Sequence, residues 1–346
     1  MNRTILKSII LALAGLGLFI LALEMLKRGA GGLRPLLEGL QIHDLKDTLA
    51  FGWLMAYLVL SGSPVAAVSL SLFSGGQISD IQSLGMITGS RLGASFIVLF
   101  VGFLYHLRGH QRAASVAIGV LALTVTASIY LPALALGYWI LTHGYLDGVR
   151  FGSPAALNSF IDVLFKPPVA WLAAHFPTWT IFLMGIGTLL GAFKLFDSVL
   201  PEMDAQNSRL GNVADLVYRP IVMFLIGAAF TSITLSVSVS LTLLVPLAAR
   251  GYIRRENIIP YIMGANITTF IDTLFASLLL NTPRAFTIVL VEILTVGFFS
   301  LLILALLYQP YQRAMEAGLR LVLRDNLTLA AFVLLIVGIP VLLLLL

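Results

Sequence analysis

Charged side chains are scarce in this chain. Its 21 Lys and Arg and 16 Asp and Glu make up 11% of 346 residues, against about 25% in an ordinary soluble domain. Apolar residues supply 59%, and mean hydropathy is +1.00. A soluble domain of this size could not cover its surface with so few ionic groups. Water-soluble enzymes, nucleic-acid binders and disordered chains are therefore disfavoured, and a polytopic membrane protein is expected. The net charge of +5 fits basic loops on a cytoplasmic face better than a nucleic-acid partner. Cysteine is absent, which excludes disulfides, thiolate nucleophiles and Cys-based metal sites. A P-loop, a dinucleotide fingerprint and a nucleophile elbow are also missing, so neither ATP-driven nor enzymatic chemistry is expected. The five His residues lack metal-ligand spacing and read as surface groups.

What the sequence does contain is apolar runs of bilayer length, at about 8–26, 50–74, 81–105, 113–142, 179–200, 220–249, 256–279, 285–307 and 326–346. The first, after Arg3 and Lys7, is followed by Glu24-Met25-Leu26-Lys27 rather than a small-residue cleavage site, and reads as a retained span. The alternation of a membrane barrel is absent, so the fold class expected is all-α. Between 143 and 178, Pro154, Pro167, Pro168 and Pro177 mark a linker with one amphipathic or interfacial helix.

The chain also echoes itself. Gly15-Leu16-Gly17-Leu18 matches Gly185-Ile186-Gly187-Thr188 at an offset of 170. At an offset of 175, Leu60-Ser61-Gly62-Ser63 meets Leu235-Ser236-Val237-Ser238, Gly76-Gln77-Ile78 meets Gly251-Tyr252-Ile253, and Gly89-Ser90-Arg91-Leu92 meets Gly264-Ala265-Asn266-Ile267. Four matches in order point to an internal duplication. Repeat 1 is expected over 1–142, with spans at about 8–26, 81–105 and 113–142 and a hairpin at 50–74. A linker over 143–178 follows. Repeat 2 covers 179–307, with spans at about 179–200, 256–279 and 285–307 and a hairpin at 220–249. A loop and a C-terminal span occupy 308–346.

Mid-run Gly and Pro, as in Ser61-Gly62-Ser63-Pro64, break a helix where lipid offers no partner for the freed backbone. If both Ser-x-Ser runs are re-entrant hairpins, each repeat crosses three times and the second is inverted. The 81–105 and 256–279 spans are then broken helices, interrupted at Gly89…Gly93 and Gly264-Ala265-Asn266. With the N-terminus cytoplasmic, 12 of the 21 Lys and Arg fall inside and 7 outside, leaving Arg91 and Lys194 within spans. The bias has the sign of the positive-inside rule. Straight spans are the competing topology.

This layout, over roughly 8–142 and 179–307, resembles the sodium–phosphate cotransporters. In that family two inverted repeats each carry a Gln-Ser-Ser-Ser-type motif on a re-entrant hairpin, followed by a Gly-Ala-Asn-Ile-Gly-Thr-Thr-type segment. Gly264-Ala265-Asn266-Ile267-Thr268-Thr269 departs from that segment only at Thr268. Leu60 and Leu235 stand where the family has Gln, Gly62 and Val237 replace the middle Ser, and Arg91 replaces the first Asn. The soluble regulatory domain that follows the last span in many bacterial members is not expected here. The resemblance implies a secondary active transporter of phosphate or a related oxyanion, coupled to sodium, working by alternating access in the plasma (inner) membrane. No other cofactor is expected. The partners expected are the anion, sodium, the bilayer and a second copy of the chain. An organic or lipid phosphate substrate, or a non-transporting scaffold, are the alternatives.

An anion at mid-membrane needs donors in place of water, which free N–H groups, helix N-termini and hydroxyls supply. Ser61, Gly62, Ser63, Ser236 and Ser238 lie where the two tips should meet. Sodium prefers oxygen ligands, and Thr234, Ser240, Asn266, Thr268, Thr269 and Asp272 fit that chemistry. Each Ser or Thr also has a purely structural alternative, bonding its own helix backbone or a neighbouring helix. Arg91, ten residues into an apolar run, costs about 3 kcal/mol there on insertion scales. It either clamps an oxyanion or pairs with Asp272. Asp272, whose counterpart is Ile97, is either a coupling site or the partner of Arg91 or Lys194. Glu24 and Lys194 hold equivalent places near span ends, where long side chains reach the interface. Glu292 sits about two turns into its span and ranks below Asp272 as a coupling candidate.

Overall fold

A computed structural model describes residues 3–107, 112–149, 151, 154–199, 219–237, 240–241 and 255–346. Among these, every regular element is helical. Seven helical segments are long and apolar enough to cross a membrane: Lys7–Gly39, Asp80–Phe103, Val116–Thr142, Thr178–Phe196, Asn257–Leu279, Pro283–Val322 and Asn326–Leu345. The chain thus has the build of a multi-pass membrane protein. The Ser-x-Ser runs instead give shorter apolar helices, Gly62–Ser74 and Pro220–Thr234.

Helix α1 (Arg3–Gly29) passes through a 3-10 turn (Ala30–Leu33) into α2 (Arg34–Gly39). Helix α3 (Leu45–Val59) opens on a reciprocal cap: the Asp44 carboxylate accepts from the Asp47 N–H, and the Asp47 carboxylate accepts from the Asp44 N–H. It ends at Leu60, which is left-handed at φ 53°. Extended Ser61 then starts α4 (Gly62–Ser74). Helices α5 (Asp80–Leu107) and α6 (Arg112–Thr142) follow, then α7 (Ala155–Leu164), α8 (Lys166–His175) and α9 (Thr178–Val199). Helix α10 (Pro220–Thr234) also ends on a left-handed leucine, Leu235 at φ 51°. The chain closes with α11 (Arg255–Thr268), α12 (Ile271–Leu279), α13 (Pro283–Leu302), a π turn (Ile303–Leu307), α14 (Tyr308–Val322) and α15 (Asn326–Leu345).

Glycine sets the closest helix contacts. A Cβ on Gly85, Gly89 or Gly93 of α5 would strike the carbonyl oxygens of Leu45, Leu49 and Trp53 of α3. Both series advance by four residues, so α3 and α5 run parallel with their backbones nearly touching, as small residues permit. Helix α4 runs back: Gly62 lies against Ser90 and Ala94, and the Ser69 hydroxyl donates to the Ser83 carbonyl at 3.2 Å. The arms of α3 and α4 therefore begin and end level with the start of α5, and their tip lies beside residues 90–94. The same contacts recur 175 residues on. Gly52 meets the Met86 carbonyl as Gly227 meets that of Tyr261, and Gly89 meets Leu49 as Gly264 meets Phe224. The first helices of the two halves pack antiparallel, Gly15 against Phe196, Gly185 against Leu26 and Gly29 against Phe182.

Four expectations need correction. Helix α5 is continuous through Gly89…Gly93, because those glycines serve close packing rather than a break. In the second half the interruption falls at Thr269-Phe270, between α11 and α12, three residues past Asn266. The linker holds two ten-residue helices, α7 and α8, that meet at Phe165, where Pro167 and Pro168 withhold N–H donors from a continuous ladder. The stretch after 307 is helical to Val322 rather than a loop. Glu316 pairs with Gln312 at 2.9 Å and with Arg320 at 3.8 Å, both four residues away. The π turn just before it accommodates Pro310, which has no N–H for the Leu306 carbonyl. Most of the second arm of the 220–249 hairpin lies outside the described residues.

Candidate functional site

Arg91 sits at mid-length of α5 and is 2% exposed. It faces the interruption between α11 and α12. Its Nη1 donates to the Ser63 hydroxyl at 3.3 Å and the Thr269 hydroxyl at 3.2 Å. Its Nη2 donates to the Thr273 hydroxyl and to Asp272 Oδ1, the latter at 3.4 Å. The guanidinium lies over the Phe270 ring at 4.9 Å, and that ring stacks on Tyr130. Asp272 is itself 7% exposed. Its Oδ1 also accepts from the Thr273 N–H at 2.5 Å and the Thr273 hydroxyl at 2.8 Å.

The Arg91–Asp272 pair is thus real but loose. A bidentate pair uses both carboxylate oxygens and two guanidinium N–H groups at about 2.7–2.9 Å. Here one oxygen is engaged, at 3.4 Å. Arg91 Nε and Asp272 Oδ2 are both buried without a hydrogen-bond partner among the described residues. Buried polar groups are rarely left unpartnered, so the guanidinium retains donor capacity that Asp272 does not use. Lys194, the other proposed partner of Asp272, is exposed.

The two left-handed turns meet. Ser61 and Ser63 from one tip and Thr234, Leu235 and Ser236 from the other line a cavity of about 30 Å³, closed by Phe193 and Phe196 of α9. Ser63 joins this cavity to Arg91 through its hydroxyl. Gly62 begins α4, whose first N–H groups are unsatisfied within the helix. Ser238 lies outside the described residues.

The oxygen set expected for sodium is not gathered at one point. The Asn266 amide donates to Thr126 at 3.1 Å, and its carbonyl accepts from Tyr130 at 2.8 Å. The Thr268 hydroxyl donates to the Ala228 carbonyl at 2.9 Å. Ser240 bonds Thr231 and Tyr261, and Thr234 bonds the Ser236 carbonyl at 3.2 Å. Only Thr269 and Asp272 touch Arg91. For Thr268, Ser240 and Asn266 the helix-joining role is the one observed. Reading the sequence also missed Thr273, Phe270, Tyr130 and Thr88. Tyr130 carried a usable signal, a phenol in the middle of an apolar run whose hydroxyl requires a partner.

A second, wider cleft of about 660 Å³ opens where α1 and α4 end and α8 begins, lined by Lys27, Arg28 and Lys166 with Glu24, Ser74 and Gln77. Lys27 donates to the Leu280 carbonyl at 3.1 Å, and Ser74 bonds Thr282 at 2.6 Å. Nearby, Arg284 pairs with both Asp80 and Asp147. Lys166 pairs with Asp162 at 2.7 Å, so Lys27 and Arg28 against Glu24 leave this mouth with a small positive excess. Among the described residues no group of His, Asp and Glu is arranged to hold a metal ion. No family model, no curated protein and no solved structure matches the chain.

Proposed function

We propose that the chain is a secondary active transporter of phosphate or a related oxyanion, divergent from the sodium–phosphate cotransporters. The observation that carries this reading is the half-used guanidinium of Arg91, buried beside the meeting point of two left-handed helix turns. An entering oxyanion takes the free Nε–H of Arg91 and competes with Asp272 for the Nη donors. Ser61, Ser63 and Ser236 line the adjoining cavity, which Ser63 links to Arg91 and beside which α4 begins with its first N–H groups. The recurrence of glycine contacts at an offset of 175 and the antiparallel packing of α1 and α9 support two inverted repeats. The level of the α3 and α4 ends supports a re-entrant hairpin. Alternating access then moves one half against the other around the tips. The basic cleft favours arrival of anions. Sodium is retained as the coupling ion on the resemblance alone.

Purified protein in phospholipid vesicles should take up labelled phosphate faster under an inward sodium gradient than under an equal potassium gradient. Sodium-independent uptake would remove sodium and keep the anion reading. No uptake above protein-free vesicles would remove inorganic phosphate. A panel of organic phosphates in thermal unfolding then separates the alternative, since a specific ligand raises the midpoint.

A further inference from the structure

We infer that Glu292 is a proton-binding site whose occupancy controls how tightly the Arg91 site holds an anion. The anion part rests on the function proposed above. Glu292 lies on α13 and is 1% exposed. Its one side-chain partner among the described residues is the Thr88 hydroxyl, 2.5 Å from Oε1. Thr88 precedes Arg91 on α5 by three residues, one helical turn of about 5 Å. Glu292 therefore belongs to the same buried cluster as Arg91 and Asp272.

That cluster holds one cation and two carboxyls. Among the described residues, the other elements packed on α13 bring no further charge to it. Helix α4 has no ionisable side chain, α12 has only Asp272, and α6 brings the phenol of Tyr130, its one charged residue, Arg112, being in its first turn; Asp80, in the first turn of α5, pairs with Arg284. The charges of α11, Arg255 and Glu256, are in its first turn. With both carboxyls ionised, one net negative charge would sit in an apolar interior, at a cost of several kcal/mol. A single proton removes it. Asp272 Oδ1 already accepts N–H and O–H donors from Arg91 and Thr273. Glu292 has a lone hydroxyl partner that can equally accept a hydrogen bond. The proton therefore resides on Glu292.

The consequence is linkage. Protonated Glu292 leaves the potential at Arg91 positive and open to an anion, and ionised Glu292 cancels it. Binding of anion and of proton then reinforce each other, with a coupling of roughly tenfold in affinity, in the usual range for linked sites.

Infrared spectroscopy of the purified protein reads the proton directly. The wild type should show the C=O stretch of a buried protonated carboxyl at neutral pH, titrating away in alkali, and Glu292→Gln should lack it. Glu292→Asp, which keeps the carboxyl but moves it by one methylene, should shift the band. A wild type without the band, or a band unaltered by either variant, overturns the assignment. Inorganic phosphate binding against pH reads the coupling. Wild-type affinity should fall roughly tenfold more than that of Glu292→Gln as pH rises, the titration of phosphate itself being common to both. Parallel curves would overturn the coupling. Absence of phosphate binding at every pH would overturn the anion reading and the coupling with it, while the infrared band tests the proton on Glu292 independently of any anion.

Discussion

Arg91 decides the chemistry because no other buried side chain among the described residues carries a positive charge. Removing one member of a buried ion pair leaves the other uncompensated, which costs about 3–5 kcal/mol, whereas replacing both by apolar groups is often near neutral. Arg91→Met alone should therefore lower the thermal midpoint markedly, and Arg91→Met with Asp272→Leu should recover most of that loss. Equal midpoints for the single and double variants would show that the 3.4 Å contact carries no coupling. Arg91 was legible in the sequence as a charge inside an apolar run, and Asp272 as its nearest candidate acid. Thr269 and Thr273 were not legible as its partners. Contacts across 178 and 182 residues depend on how α5 crosses the α11–α12 junction, which no local pattern encodes.

At the scale of elements, the glycines carry more than a sequence reading can separate. Gly in mid-membrane signals either a broken helix or a close approach, and both patterns look alike in one dimension. In α5 the approach wins, because Gly85, Gly89 and Gly93 fall on one face at a spacing of four and meet a backbone there. The matched pair Gly89→Ala and Gly264→Ala should each destabilise by about 1–3 kcal/mol through overpacking, seen as lower unfolding midpoints. Gly17→Ala, where nothing lies within 4 Å, should be neutral or slightly stabilising. Leu60 and Leu235 offer a test of opposite sign. A non-glycine residue in the left-handed region costs about 1–2 kcal/mol, more than glycine loses in entropy. Leu60→Gly and Leu235→Gly should raise the midpoint slightly, and a fall in both would mean that the leucine side chains outweigh the backbone strain. The helix ends at Leu60 and Leu235 were legible from Ser61-Gly62-Ser63-Pro64 and its echo at 235. The left-handed leucines were not, since a leucine at that position breaks the usual glycine rule.

At the scale of the molecule, the sequence matches at an offset of 175 led to the expectation of a duplication, and the same offset recurs in the glycine contacts of Gly52 and Gly227 and of Gly89 and Gly264. That both tips line one cavity could be expected only through the family resemblance. Absence of cysteine makes the point testable without background labelling. Ser61→Cys together with Ser236→Cys should cross-link with a short thiol-reactive reagent, and the cross-linked protein should stop exchanging substrate if the halves move around the tips. Efficient cross-linking with unimpaired exchange would separate the tips from the moving parts. The transport mechanism depends most on recognition of the anion by Arg91, and one measurement addresses it directly: initial uptake of labelled phosphate into vesicles containing wild type or Arg91→Lys, the latter keeping the charge and the ion pair but losing the planar donor fork. Arg91→Lys, folded and reconstituted to the same density, should lose at least about tenfold in uptake at low phosphate. Uptake by Arg91→Lys with unchanged KM and kcat would contradict that role.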